Sequence, residues 1–252
     1  MISVIVCSRQ PSTWDLHSRN IAKTIGCDYE YVRIDNTANI YGICGAYNEG
    51  VRRATGDILV FVHEDCFFME PGWGNVLYAK FGADPALGLV GVAGTQYLTA
   101  NRPAWISAGQ PLIKGRVIHE LSDKQIFALT VFSWDKADAQ VVAVDGLFFA
   151  IPRFLFNRIK FDEEVFTGFH LYDLDICMQI GATHRLLVTW DILVKHFSGG
   201  NLTPQWRDAG IKFLQKYKAV LPFSCVNAQP APVYNGPMNF DLRGKAELGV
   251  IV

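Results

Sequence analysis

The sequence lacks any apolar run long enough to cross a membrane. Its longest uninterrupted runs, such as Ile58 to Val62 and Gly146 to Ile151, are far shorter than the roughly 20 residues that span a bilayer. A strand pattern at Ile2–Cys7 begins directly after Met1. It leaves no room for the basic and apolar regions of a signal peptide, so we expect a cytoplasmic protein.

An excess of charge of either sign is also missing. Lys plus Arg total 23 and Asp plus Glu total 24, for a formal net charge of −1. This balance excludes the basic footprint of a chain that binds nucleic acid. Half of the 252 residues are apolar and 13% are aromatic, a composition that builds a core and excludes a wholly disordered protein.

The cysteine pattern excludes two further classes. None of the six cysteines forms a C-x-x-C pair, and the intervals between them are long and irregular. A structural zinc site or a disulfide framework is therefore not expected. Most of the cysteines are predicted to be small buried hydrophobes in a reducing compartment.

The first hundred residues alternate between strand and helix patterns. Strands are predicted at Ile2–Cys7, Tyr29–Asp35, Asp57–Glu64 and Leu87–Val92, of which the first is expected to be fully buried. Helices are predicted between them, in the stretch 11–26 with Ser12 or Thr13 as N-cap, at 43–54 and at Pro71–Phe81. Apolar strands separated by helices are typical of a mainly parallel sheet that is covered on both faces.

Ligands of such sheets bind beyond the carboxyl ends of the strands. We therefore expect Ser8–Arg9, Asp35–Asn36 and His63–Asp65 to share one rim of the sheet. The sequence after these strands is less regular, and a loop and a short ribbon are predicted at 94–121. Further elements are predicted at Val141–Ile151 (strand, interrupted at Asp145–Gly146), Leu171–Ile180 (helix), Leu186–Lys195 (extended), Thr203–Pro204 (helix start) and after Pro222 (extended tail).

The segment His63-Glu64-Asp65 ends the third predicted strand. An acidic cluster at the end of a buried strand is costly unless it has a partner or a function. One interpretation is a divalent cation held by Asp65, with His63 or Glu64, in front of a diphosphate, because hard cations share carboxylates with phosphate oxygens. The other interpretation is a solvated strand end.

Residues 42–66, GICGAYNEGVRRATGDILVFVHEDC, resemble the central signature of family 2 glycosyltransferases of the GT-A fold. Its A-x-N-x-G helix pattern, its A-x-G-D turn and the last Asp of its D-x-D motif are matched by Ala46, Asn48, Gly50, Ala54, Gly56, Asp57 and Asp65. His63 stands in place of the first Asp. The resemblance implies a three-layer α/β fold of the GT-A nucleotide-diphospho-sugar transferase type.

Further matches follow in the family's order over roughly residues 1–200. They are Ser8-Arg9 and Asp35-Asn36 (nucleotide base), Asp145-Gly146 (acceptor strand), Tyr172 to Cys177 (the E-D-x-D-L segment, with Tyr172 for the Glu) and His196 to Gly200 (the H-x-S-G element). This combination is most similar to the StrF-type subgroup, named after a streptomycin-biosynthesis protein.

The resemblance implies a metal-dependent, inverting transfer of one sugar from a UDP- or GDP-type nucleotide sugar to a small-molecule or glycan acceptor. It implies Mn²⁺ or Mg²⁺ as cofactor, with Asp65 and His196 as ligands and Asp173 as the catalytic base. The implied nucleotide-sugar contacts are Ser8, Arg9, Asp35, Asn36, Asn48, His63 and Glu64. The implied acceptor contacts are Asp145, Gly146, Trp105 and Asp175.

For two aspartates and two tryptophans the sequence allows more than one role. Asp173 and Asp175 are two positions apart on a predicted helix, so their side chains diverge by about 200°. Asp173 is the candidate base, Asp175 is the alternative, and a structural role for both stays open. Trp105 and Trp134 lie in irregular stretches and could stack on sugar rings.

Other classes of protein would carry different motifs in their sequence. A nucleotidyltransferase would carry a Gly-rich basic loop after the first strand, and a dinucleotide-binding oxidoreductase would carry G-x-G-x-x-G there. Ser8-Arg9-Gln10-Pro11 counts against both. A non-catalytic scaffold with the same fold stays open because of His63. Processive relatives carry Q-x-x-R-W, whereas this chain has Gln205-Trp206-Arg207, which favours transfer of a single sugar.

The chain is expected to form one domain, since single cores grow to roughly 250–300 residues. The resemblance divides it into a nucleotide-binding half at 1–95, an acceptor half at 96–200, and a helix and tail at 201–252. The Pro- and Gly-rich tail and the apolar excess would suit contact with a partner, such as a second copy in a homo-oligomer.

Overall fold

The computed structural model describes residues 1–120, 127–197, 203–228 and 238–241. The helices are α1 (Pro11–Thr24), α2 (Ile43–Arg53), α3 (Trp73–Ala83), α4 (Tyr172–Gly181) and α5 (Pro204–Tyr217). The strands are β1 (Ile2–Ser8), β2 (Tyr29–Asp35), β3 (Ile58–Val62), β4 (Cys66–Phe68), β5 (Leu87–Gly91), β6 (Ala93–Thr95), β7 (Tyr97–Leu98), β8 (Ile113–Glu120), β9 (Phe127–Val131), β10 (Ala139–Val141), β11 (Ala143–Val144), β12 (Phe148–Pro152), β13 (Arg185–Val188), β14 (Val194–His196), β15 (Phe223–Ser224) and β16 (Met238–Asp241). Short 3₁₀ turns cover Trp105–Ala108 and Arg153–Asn157.

A central seven-stranded sheet has the order β10-β13-β5-β12-β3-β1-β2. β1 pairs in parallel with β2 and β3, as the alternation of strands and helices predicts. β12 lies antiparallel between β3 and β5. It follows a stretch of short strands along the rim and not a crossover helix, so it runs back through the sheet. The sheet is consequently mixed, where the sequence predicted a mainly parallel one.

Helices cover both faces of this sheet, which gives the three layers expected from the sequence. On one face, buried side chains of α2, α4 and α5 such as Tyr47, Cys177 and Phe213 pack in one cluster with strand residues such as Phe149. On the other face, α1 and α3 pack on the alternate strand residues, with Trp73 stacked on Phe68 at a centroid distance of 4.1 Å. The predicted α/β architecture is confirmed.

A second sheet lies along the rim, in the order β11-β6-β8-β14-β4. β14 pairs antiparallel with β4 and in parallel with β8. The sequence predicted only a loop and a short ribbon at 94–121, whereas β8 pairs with β6 and β9 and also with β14, some 80 positions later. This sheet matters for the site, since it aligns residues from three distant segments.

The ends of the chain agree in part with expectation. α5 begins as predicted, with Thr203 Oγ1 accepting a hydrogen bond from the backbone N–H of Trp206 at 3.2 Å. α1 begins at Pro11, one or two residues before the predicted capping residues. Much of the predicted extended tail, at 229–237 and 242–252, lies outside the described residues. In the described part of the chain, every helix is too short or too polar to traverse a lipid bilayer.

Candidate active site

A cavity of about 840 Å³ opens at the carboxyl ends of β1 and β3. This size lies within the range of ligand-binding clefts. The cavity is lined by Cys7, Arg9, Gln10, Thr13, Leu16, Thr37, Ile43, Tyr47, His63, Glu64, Asp65, Phe67, Phe169, Tyr172 and Phe197. The rim that the strand pattern predicts is therefore the location of a large cleft.

Side chains from the β3–β4 connection, the start of β4 and the end of β14 form a cluster of metal-ligand type, and two of them, His63 and Asp65, line the cleft. One ligand atom from each of His63, Asp65, Cys66 and His196 lies within 4.8 Å of the others. Asp65 Oδ1 lies 3.4 Å from Nε2 of His196. Burial alone would raise the pKa of Asp65, but its hydrogen bond with His196 and the nearby imidazoles hold that pKa below its usual value.

Three members of this cluster have the chemistry of cation ligands. The Cys66 thiol is fully buried, its pKa is raised by burial and by the charge of Asp65, and its S–H donates to the carbonyl of Leu147 at 3.4 Å. That leaves two imidazoles and one carboxylate. Such a mixed donor set suits a first-row transition ion such as Mn²⁺ better than Mg²⁺, which takes oxygen ligands and retains water. The residues fit the cation that the sequence predicts.

Histidines extend the cluster beyond what the sequence indicated. The rings of His63 and His119 lie 5.6 Å and 5.8 Å from that of His196. Burial, and then the proximity of His196, lower the pKa values of His63 and His119 to about 4. His119 was missed because it is on β8, and only the pairing of β8 with β14 sets it opposite His196.

Two carboxylates lie beside the metal-type cluster. Asp173 Oδ2 accepts a hydrogen bond from the backbone N–H of Gly146 at 3.0 Å. Burial, and then the negative charge of Asp145, raise the pKa of Asp173 to about 7. This carboxylate therefore exchanges its proton near neutral pH, which is the property required of a general base.

Asp145 is held from two sides. Its Oδ2 accepts from Nε1 of Trp105 at 3.1 Å, and its Oδ1 accepts from the backbone N–H of Leu147 at 3.1 Å. The Trp105 ring packs edge-on against Phe132. The predicted acceptor residues Trp105, Asp145 and Gly146 thus lie together, next to the predicted base.

Asp175, also predicted to contact the acceptor, points away from this group. Its carboxylate is 1% exposed and accepts from Lys216 Nζ, the Tyr217 hydroxyl (both at 2.7 Å) and Gln179 Nε2 (2.8 Å). The divergence expected between positions 173 and 175 is observed, and it turns Asp175 toward α5. Its contacts join α4 to the C-terminal helix, which gives Asp175 a structural role, and its predicted contact with the acceptor stays a prediction.

Two predicted nucleotide contacts also hold backbone segments. Asn48 Nδ2 donates to the carbonyl of Phe161 at 2.9 Å, and its Oδ1 accepts from the N–H of the same residue at 3.1 Å. Asn36 is fully buried and makes the same pair of bonds with the backbone of Tyr41, both at 2.9 Å. The amide groups of both residues are thus occupied by the fold and do not project into the cleft.

The other predicted nucleotide residues lie at or near the mouth of the cleft. The Glu64 carboxylate accepts from the backbone N–H groups of Arg9 and Gln10, at 2.9 Å and 3.2 Å, and so positions the start of α1. The Arg9 guanidinium lies over the Phe169 ring, 5.0 Å from its centroid. Ser8, the last residue of β1, is buried.

Asp35 is exposed at the end of β2, and its Oδ1 accepts from the N–H and hydroxyl of Thr37, which lines the cleft. These bonds hold the pKa of Asp35 below its usual value. Ser198 to Gly200 of the late H-x-S-G element lie outside the described residues.

Two solved glycosyltransferases have a similar fold. GalNAc-T7, solved with UDP, GalNAc and Mn²⁺, has a TM-score of 0.54 and 14% identity over 81% of this chain and 45% of its own. The mannosyltransferase PcManGT from Pyrobaculum calidifontis, solved with GDP-Man and Mn²⁺, has a TM-score of 0.53 and 16% identity over 86% of this chain and 64% of its own. The chain therefore spans less than two thirds of either protein. The fold is the α/β fold of GT-A glycosyltransferases.

Sequence comparison gives the family directly. A search of curated proteins finds no significant match. The glycosyltransferase-like family, by contrast, matches residues 3–197, which include every strand and helix that lines the cleft. The chain belongs to this glycosyltransferase-like family.

Proposed function

We propose that the chain is a metal-dependent, inverting glycosyltransferase of family 2 and its StrF-type subgroup. It moves one sugar from a UDP- or GDP-type nucleotide sugar to a hydroxyl of a small-molecule or glycan acceptor. The observation that carries the proposal is a cluster of Asp65, His63 and His196 that a hydrogen bond from His63 to Tyr172 joins to the helix start bearing Asp173, whose pKa is about 7. The nucleotides and Mn²⁺ bound by the two similar solved transferases support the donor class and the cation.

At the donor end, Asp65, His196 and His63 would hold a divalent ion, and we favour Mn²⁺ over Mg²⁺ for the reason given above. When bound, the ion stabilises the negative charge that develops on the diphosphate leaving group. Arg9, at the mouth of the same cleft, adds a cation that can contact the donor's phosphates or base. The nucleotide would occupy the side of the cleft formed by β1 and Thr37.

At the acceptor end, Asp173 takes the proton. Its Oδ2 is occupied by the N–H of Gly146, so Oδ1 is the atom that accepts the hydroxyl proton. The acceptor oxygen forms a bond to the anomeric carbon from the face opposite the diphosphate, and the bond between that carbon and the diphosphate oxygen breaks. Asp173 ends protonated, and the nucleoside diphosphate leaves with the electron pair. Asp145 and Trp105 would position the acceptor.

The proposal is tested by following release of UDP or GDP from nucleotide sugars, with and without Mn²⁺, in the wild type and in Asp173→Asn. Candidate donors are first ranked by thermal shift, because a ligand at 100 times its Kd adds about 2.7 kcal/mol of stability. We expect Mn²⁺-stimulated turnover in the wild type and none in Asp173→Asn, which still binds the donor.

Two other results would contradict this function. Mn²⁺-dependent nucleotide binding without turnover on any nucleotide sugar would identify a non-catalytic binding or scaffold protein. Release of pyrophosphate from a nucleoside triphosphate would identify a nucleotidyltransferase.

A further inference from the structure

The two positions at which the sequence departs from the family signature contact each other. His63 stands where the first Asp of D-x-D is expected, and Tyr172 stands where the Glu before Asp173 is expected. In the folded chain, Nε2 of His63 lies 2.7 Å from the Tyr172 hydroxyl. One residue follows β3 and the other begins α4, so this bond joins the end of the central sheet to the helix that carries Asp173.

A second hydrogen bond sets the direction of the first. The Tyr172 hydroxyl donates to the carbonyl of Gly146 at 3.0 Å. Since a carbonyl only accepts, the hydroxyl proton is used there, and an oxygen lone pair is left to face His63. His63 must then donate its Nε2–H. In a neutral imidazole with a proton on Nε2, the lone pair is on Nδ1.

The position of the Tyr172 hydroxyl is fixed by packing. Tyr172 is only 4% exposed, and its ring lies 5.7 Å from Tyr47 and 6.4 Å from Phe149, measured between centroids. A Cβ atom at Gly146 would overlap the hydroxyl. The core therefore determines where this oxygen lies, and the oxygen determines how the imidazole is oriented.

We propose that Tyr172 is a positioning residue of the cation site. It holds His63 as the Nε2–H tautomer, so that Nδ1 is the atom offered to an ion shared with Asp65 and His196. The proposal rests on the cation site of the proposed function and adds how this chain builds it. The two acidic positions of the family signature are replaced by a neutral ligand and a neutral group that orients it, so that Asp65 is the only carboxylate among the ligands offered at this site by the described residues.

The first test measures Mn²⁺ alone, by titration followed with the EPR signal of free Mn²⁺. Losing a group that orients a metal ligand typically weakens affinity by about 10–100-fold, so Tyr172→Phe should bind Mn²⁺ at least about ten-fold more weakly. Tyr217→Phe is the matched control. It removes a phenol hydrogen bond of equal length, 2.7 Å, to the same helix α4, and should leave Mn²⁺ affinity unchanged.

A double-mutant cycle shows whether Tyr172 acts through His63. In a His63→Ala background, Tyr172→Phe should cause no further loss of Mn²⁺ affinity, because the ring that it orients is gone. Equal affinity in Tyr172→Phe and the wild type would overturn the proposal. So would the same fold loss with and without His63.

The second test needs neither metal nor donor. Long-range ¹H–¹⁵N NMR of histidine-labelled protein reports the tautomer of each ring, and the signals absent from His63→Gln identify His63. In the wild type we expect His63 to be the Nε2–H tautomer, and in Tyr172→Phe we expect the Nδ1–H tautomer to be populated as well. Finding His63 as the Nδ1–H tautomer in the wild type would overturn the proposal. If His63 is the Nε2–H tautomer but the wild-type protein binds no Mn²⁺, the cation site of the proposed function is refuted instead. Failure of the tautomer proposal and failure of the proposed function are therefore distinguishable.

Discussion

Nε2 of His196 lies 3.4 Å from Oδ1 of Asp65. The contact exists because β14 pairs antiparallel with β4 in a register that sets His196 opposite Cys66, the neighbour of Asp65. An imidazole that is 7% exposed and a carboxylate that lines the cleft are thus in contact. Each is separately an ordinary polar residue at a strand end, and together they are two of the three side chains that we propose as cation ligands.

We predict that Asp65→Asn removes the effect of Mn²⁺ on UDP or GDP binding. Loss of a group that merely supports a metal ligand weakens affinity by about 10–100-fold, and loss of the carboxylate ligand should cost at least as much. Calorimetric titration of the nucleotide with and without Mn²⁺ measures this. Asp15→Asn, which removes an exposed carboxylate of α1 paired with Arg19, is the control. Unchanged Mn²⁺-dependent affinity in Asp65→Asn would refute the assignment.

We predict that Asp173→Asn makes the protein more stable at pH 8 while abolishing turnover. The folded-state pKa of Asp173, about 7, lies above its value of about 3.9 in an unfolded chain. Between these values the native state binds more protons, so wild-type stability from this group falls as pH rises from about 4 to about 7. Because asparagine does not titrate, Asp173→Asn does not lose this stability as the pH rises.

Thermal unfolding from pH 4.5 to pH 8 checks that prediction. The melting temperature of Asp173→Asn should exceed that of the wild type by a margin that grows with pH. A margin that is constant with pH, or that shrinks toward pH 8, would show that the carboxylate is not held protonated by its surroundings.

We predict that Lys216→Met destabilises the fold without changing acceptor affinity. It would leave the Asp175 carboxylate, 1% exposed, without its cation. Removing one partner of a fully buried ion pair costs about 3–5 kcal/mol, and we expect a smaller loss here because Lys216 is 30% exposed and Tyr217 and Gln179 still donate to Asp175. Urea unfolding measures this loss, and Lys212→Met, on the exposed side of the same helix, is the control. A loss of acceptor affinity at unchanged stability would return Asp175 to the acceptor site.

We predict that Gly146→Ala displaces Tyr172. The added Cβ would overlap the tyrosine hydroxyl and approach Asp173 Cβ, and overpacking of this kind costs about 1–3 kcal/mol. Gly82→Ala is the matched control, since its Cβ meets no described atom within 4 Å. The double variant Gly146→Ala/Tyr172→Phe should recover part of the stability because the overlapping oxygen is gone. No recovery would mean that the clash is with another atom.

The sequence by itself determined the layers of the fold and much of the rim. Apolar runs without alternation, such as those of β1 and β3, can be satisfied only by a sheet covered on both faces, so these strands and the helices beside them were predictable. The ends of these strands meet at one edge for the same reason, which brought Arg9 and Asp65 into one cleft. Local capping chemistry likewise predicted the start of α5 at Thr203.

Only the tertiary structure decided which polar residues converge. The antiparallel position of β12 between β3 and β5 depends on contacts between distant segments, and so does the pairing of β8 with β14. The first places Asp145 beside Asp173, and the second places His119 beside His196. Asn36, Asn48 and Asp175 match a functional pattern, yet their side chains are satisfied by backbone or by α5. The type of a residue determines which chemistry its side chain can perform, whereas its burial and hydrogen-bond partners determine whether the side chain is available to a ligand.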